Sequence, residues 1–114
     1  MELAEDLLKR DGFDVHFWLG GKVAAPLVVF THGATIDHHE WDATLPLVGE
    51  HFRVLAWDVR GHGRSRPAPF SVADTVHDLV DLLENLQVAQ AILVGHSLGG
   101  ITCTRKWYSS IRSG

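Results

Sequence analysis

Residues 91–100 read Ala-Ile-Leu-Val-Gly-His-Ser-Leu-Gly-Gly. The first four form a short unbroken apolar run, the pattern of a strand buried on both faces of a parallel sheet. Gly95, Gly99 and Gly100 bracket Ser97, so the strand Ala91–Val94 ends in a sharp turn with a serine at its apex. Such a turn strains the serine backbone by about 1–3 kcal/mol and needs neighbours that do not crowd it. A helix that opens there offers free N–H groups and a positive dipole end beside the hydroxyl.

Two more short apolar runs lie upstream, Leu27–Thr31 and Arg53–Trp57. The clearest helix spans Ser71–Leu86. Val72, Val76, Leu79, Val80, Leu83 and Leu86 share one face, and Asp74, His77, Asp78, Asp81 and Glu84 fall on a solvated one. Ser71 with Asp74 makes an N-cap pair. Trp41–Val48 reads as a short helix with Pro46 near its end. Strand, helix, strand, helix, strand in succession predicts an α/β sheet whose parallel strands are joined by crossover helices. Ahead of it, the Asp11-Gly12 turn joins Leu7–Arg10 to Phe13–Leu19 as a hairpin, and Gly20-Gly21 ends the second strand.

The chain has 114 residues and is 46% hydrophobic, enough for one small domain and its core. Its net charge of -4 is scattered with no basic stripe, which excludes a nucleic-acid footprint. The start lacks a basic stretch leading into an apolar run, so no secretory signal is read. The longest apolar stretch, Val23–Phe30, is broken by Pro26 and too short to span a bilayer. A soluble, cytoplasmic protein without a membrane partner is expected. Cys103 is a lone cysteine and reads as a small apolar residue rather than a catalytic thiol.

Two further motifs follow the upstream strands. His32-Gly33-Ala34 comes straight after Leu27–Thr31, and Asp58-Val-Arg60-Gly61-His62-Gly63-Arg-Ser65 straight after Arg53–Trp57. With Gly95-His96-Ser97-Leu98-Gly99-Gly100 they stand in an order that resembles the α/β-hydrolase superfamily, in its serine-hydrolase, esterase-like form. The resemblance runs from about residue 7 to 100. It implies an incomplete α/β-hydrolase fold, a single partial domain over 1–114 that ends just after the nucleophile elbow. It implies Ser97 as nucleophile, with the backbone N–H groups of Ala34 and Leu98 as the oxyanion hole. His32 and the stretch Asp58–Ser65 match positions that shape loops, with Gly61 and Gly63 allowing a tight path and Asp58 or Arg60 anchoring it. Serine rather than aspartate at the elbow implies acyl transfer to water from a small-molecule acyl substrate, with no cofactor.

In the family the triad acid and histidine follow the serine in the chain, and both are read as absent here. Without the base such a site loses on the order of a millionfold in rate, so this chain alone is expected to be inactive. Residues 101–114 hold Thr102, Thr104, Ser109 and Ser110 at poor apolar spacing and read as an atypical, truncated tail. The rival reading is a non-catalytic fragment that acts by association, through the open sheet edge that Ala91–Val94 would form. A third, a metal-dependent hydrolase using His32, His38 and His39, lacks a second histidine two after His32, where Ala34 stands. His38 and His39 read as exposed loop residues, and no metal site is assigned. His96, His62 and His77 are set aside as bases: the first points away from its neighbour, the second belongs to a loop motif and the third to a polar helix face.

Overall fold

The computed structural model describes residues 1–104. Alternation sets the first hairpin. In β2 (Asp14–Gly21), Val15 and Phe17 turn into the core while their neighbours stay partly exposed. Gly12 takes a φ of +84°, the left-handed conformation that closes the turn. The hairpin arm β1 spans Ala4–Lys9, longer than the expected Leu7–Arg10, because Ala4, Glu5 and Asp6 pair with Leu19, Trp18 and Phe17. β1 is an exposed strand along most of its length, so its charged first half carries no inward pattern.

β3 (Leu27–Thr31) and β4 (Arg53–Trp57) fall where their apolar runs place them. The sheet order is β1-β2-β4-β3-β5, with β5 at Ala91–Gly95. β2 runs antiparallel to β4, and β3 runs parallel to both β4 and β5. β3 therefore has a strand on each side, and all five of its residues are buried. β5 is an edge strand among the described residues. Ile92 is 49% exposed there, which corrects the expectation of a strand buried on both faces.

The two faces of the sheet hold separate cores. Leu27, Val29, Leu55 and Trp57 pack under α2 (Val72–Asn85) against Leu79 and Leu82. Val28, Phe30, Val54 and Ala56 pack on the other side against Leu45 and Trp41. The expected helix over Trp41–Val48 is two pieces, a 3-10 turn at His38–Trp41 and α1 at Leu45–Val48. Pro46 explains the break: it lies in the first turn of α1, where its missing N–H costs nothing.

α2 begins as the sequence indicates, with Ser71 Oγ accepting from Asp74 N–H at 3.0 Å. Its buried stripe is Thr75, Val76, Asp78, Leu79, Leu82 and Leu83, so Val80 sits at the margin. Asp78, expected on the solvated face, is fully buried. Its carboxylate takes Arg10 Nε at 2.8 Å, Arg60 Nε at 2.8 Å and Arg60 Nη2 at 3.0 Å. The Arg60 guanidinium also lies 5.0 Å above the Phe13 ring. One carboxylate thus joins the hairpin, the loop after β4 and α2. Removing one partner of a buried charge cluster leaves the others uncompensated, so Asp78→Ala should cost about 3 kcal/mol, read as a lower urea midpoint.

Candidate active site

Ser97 has a φ of +56°, in the left-handed region that L residues seldom enter. The strand turns there because its neighbours have no side chains. A Cβ on Gly99 would be driven into the Thr31 carbonyl, and one on Gly95 into the Gly99 carbonyl. His96 N–H donates to Thr31 O at 3.2 Å, and Gly99 N–H to His96 O at 2.9 Å. Residues 98–104 then form a helix, in which Thr102 is buried and donates its hydroxyl to Leu98 O at 3.0 Å. The first part of the segment read as an atypical tail is therefore helical, its threonine hydroxyls returned to the helix backbone. The rest of that reading, residues 105–114, lies outside the described residues.

The second loop leaves β3 beside the elbow, since Thr31 and Gly95 are register partners. Ala34 and Leu98 each stand three residues past that pair. Among the described residues neither backbone N–H is donated to a backbone carbonyl. Leu98 opens its helix, where N–H groups have no partner within the helix. His32 is buried, with Nε2 accepting from Val59 N–H at 3.1 Å and Nδ1 at 2.7 Å from Gly33 O. That pairing places its proton on Nδ1. Burial pushes its pKa below the ordinary histidine value.

The loop after β4 is built on Asp58. Its Oδ1 accepts His38 N–H at 2.7 Å and pairs with His38 Nδ1 at 2.9 Å, and its Oδ2 accepts Arg64 N–H at 2.9 Å. Gly63 sits so near that carboxylate that a Cβ would collide with it. Ser65 Oγ donates to Asp58 O at 2.6 Å and accepts from His16 N–H at 2.9 Å. Gly61 takes a φ of +79°, and His62 Nδ1 lies 3.1 Å from Arg60 O. Asp58 anchors the loop from inside and Arg60 fixes it to α2.

His38 is not the exposed residue expected. Asp58 draws it inward, and its ring stacks on Trp18 at 3.5 Å. His39 remains exposed, its pKa raised by the bond to Asp42. Ligand atoms of Asp37, His38 and His39 lie within 4.8 Å of one another. Asp37 Oδ1 accepts His39 N–H, while His38 Nδ1 pairs with Asp58 and His39 Nδ1 with Asp42. His32 has both ring nitrogens engaged and does not join them. The His96 ring turns toward Glu40, with Nδ1 at 2.7 Å from its Oε2, while His77 is exposed on α2. Burial pushes the Cys103 thiol upward, which keeps it protonated and a weak nucleophile. Glu40, Asp78 and the buried role of His38 were missed in the sequence, since each depends on partners far along the chain.

Residues 28–113 match the model of the alpha/beta hydrolase family. The chain belongs to that family. It is 40% identical over 95 residues to a bifunctional esterase/perhydrolase of Acinetobacter calcoaceticus, covering 80% of this chain and 34% of that one. It is 33% identical over 109 residues to an epoxide hydrolase of Caballeronia sordidicola, covering 91% of this chain and 32% of that one. A hydrolase from Pseudomonas aeruginosa superposes with a TM-score of 0.79 at 38% identity, over 86% of this chain and 38% of that one. The chain thus spans about a third of the length of the relatives it matches. Among the described residues no helix is long and apolar enough to cross a membrane.

The His32 pairing has a pH signature. Folded His32 binds a proton less readily than in the unfolded chain, so the unfolded state takes up more protons as pH falls below about 6.5. Stability should fall with it. His39, raised by Asp42, works in the opposite sense, so the fall should steepen in His39→Gln. Urea unfolding over a pH series measures both.

Proposed function

We propose that this chain supplies the nucleophile and oxyanion-hole portion of a serine hydrolase acting on a carboxylic ester or related acyl bond. The observation that carries the reading is Ser97 at the apex of the elbow with a φ of +56°, strain of the kind that functional sites retain. Ser97 Oγ attacks the carbonyl carbon and the carbonyl oxygen takes up the negative charge. The N–H groups of Ala34 and Leu98, at the ends of paired strands, donate to that oxygen. Each such donor contributes on the order of 10²–10³ in rate. A base must take the serine proton and pass it to the leaving group. His62 and His96 are turned to Arg60 O and Glu40, so the reading assigns the triad acid and histidine to chain beyond these residues.

The esterase named among the relatives supports the acyl reading. Epoxide hydrolases are also named there, but ring opening by the family route uses an aspartate at the elbow, and residue 97 is serine. Nothing in the acyl route requires a cofactor.

One observation favours a second reading, association between two copies through β5: Ile92 is exposed beside a groove of about 820 Å³ that Leu27, Leu83, Ala91 and Leu93 also line. Sedimentation separates the two, since Ile92→Lys should dissociate such a dimer and leave a monomer unchanged. For the first reading, Ser97→Ala in the intact protein should lower kcat on an activated phenyl ester by about 10⁴–10⁶. Turnover that survives the substitution would sink it.

A further inference from the structure

We propose that Glu40 is a positioning residue that clamps the Ala34 loop to the Ser97 elbow, an inference that rests on the hydrolase reading above. Its Oε1 accepts Gly33 N–H at 3.0 Å. Its Oε2 pairs with His96 Nδ1 at 2.7 Å. Gly33 is the residue before Ala34, and His96 is the residue before Ser97. One carboxylate therefore spans the two loops whose N–H groups must converge on a single oxygen.

The strands alone do not impose that convergence. β3 and β5 are paired as far as Thr31 and Gly95, and the next bond between them is His96 N–H to Thr31 O at 3.2 Å. Past that bond no backbone hydrogen bond joins the two loops among the described residues, and Glu40 bridges them. Gly33 makes the bridge sterically possible, because a Cβ there would sit 2.8 Å from His96 Nδ1. The Gly33–Ala34 peptide is a rigid plane, and its carbonyl is held by His32 Nδ1–H at 2.7 Å. Fixing Gly33 N–H with Glu40 and Gly33 O with His32 together sets the direction of the Ala34 N–H.

Glu40 is itself held on short, braced backbone. It lies in the 3-10 turn His38–Trp41, capped by Asp37. His38 on one side of it is bonded to buried Asp58, and Trp41 on the other packs 5.1 Å from Phe30. The side chain is only 20% exposed against 56% for His96, so the carboxylate is the fixed member and the imidazole the one it holds.

The test uses Glu40→Ala and Glu40→Gln in the intact protein, with two readouts. The first is hydrogen exchange at the Gly33 amide, which should speed up about tenfold or more in Glu40→Ala. The second is turnover of an activated ester. Here kcat should fall about 10- to 100-fold with KM nearly unchanged, since a misplacement of about 1 Å is enough. Glu40→Gln keeps an acceptor for Gly33 and should recover most of the loss. Unchanged Gly33 exchange in Glu40→Ala would overturn the clamp, as would a loss confined to KM. If Glu40→Ala does not fold, His96→Ala releases the other end and should show the same fall in kcat; normal kcat there refutes the proposal. Should wild-type turnover prove independent of Ser97, the hydrolase reading fails, while Gly33 exchange still reports the clamp.

Discussion

The parallel pairing of β3 with β5, in register Thr31 to Gly95, is the constraint on which the rest of the site depends. Two strands that run in the same direction release their loops at the same edge, so the residues after Thr31 and after Gly95 emerge side by side. Brought that close, the backbones leave no room for side chains. Gly99 lies against the Thr31 carbonyl and Gly95 against Gly99. A residue with a Cβ at either place would force the strands apart, and with them the serine and the loop that faces it. The left-handed conformation of Ser97 follows from this closeness rather than from any preference of serine.

Two buried carboxylates then make the surrounding loops rigid. Asp58 holds the loop after β4 and reaches His38 in the loop after β3. Asp78 ties that same loop, through Arg60, to α2 and to the hairpin. A buried charge is costly unless fully partnered, and both aspartates meet that condition with partners from other elements. The arrangement ties the walls of the site to one another. A functional group on loops needs such support, since loops lack the ladder bonds that fix strands.

Much of this was legible in the sequence because it is local. β3 and β4 were readable as short apolar runs, the Ser71 cap from one hydroxyl three residues before Asp74, and the elbow from glycines at fixed distances around Ser97. The strand order was not legible from periodicity, which reports the face a residue takes and not the strand it meets. Asp78 shows the same limit. Helical period sorted it with Asp74 and Asp81, and only Arg10 and Arg60, 68 and 18 residues away, make its burial tolerable. His38 and Glu40 looked like polar loop residues because Asp58 and His96, which fix them, belong to other strands' loops. The open edge at β5 was foreseen, whereas the exposure of Ile92 was hidden, since Ile92-Leu93-Val94 has the composition of a strand covered on both faces.

The account stands on Ser97 being the reactive residue of the edge where β3 and β5 end. Treating the intact protein with a fluorophosphonate and mapping the modified peptide measures this directly. A single adduct on Ser97, absent in denatured protein, is the result expected. An adduct on another residue, or none while ester turnover continues, would contradict it.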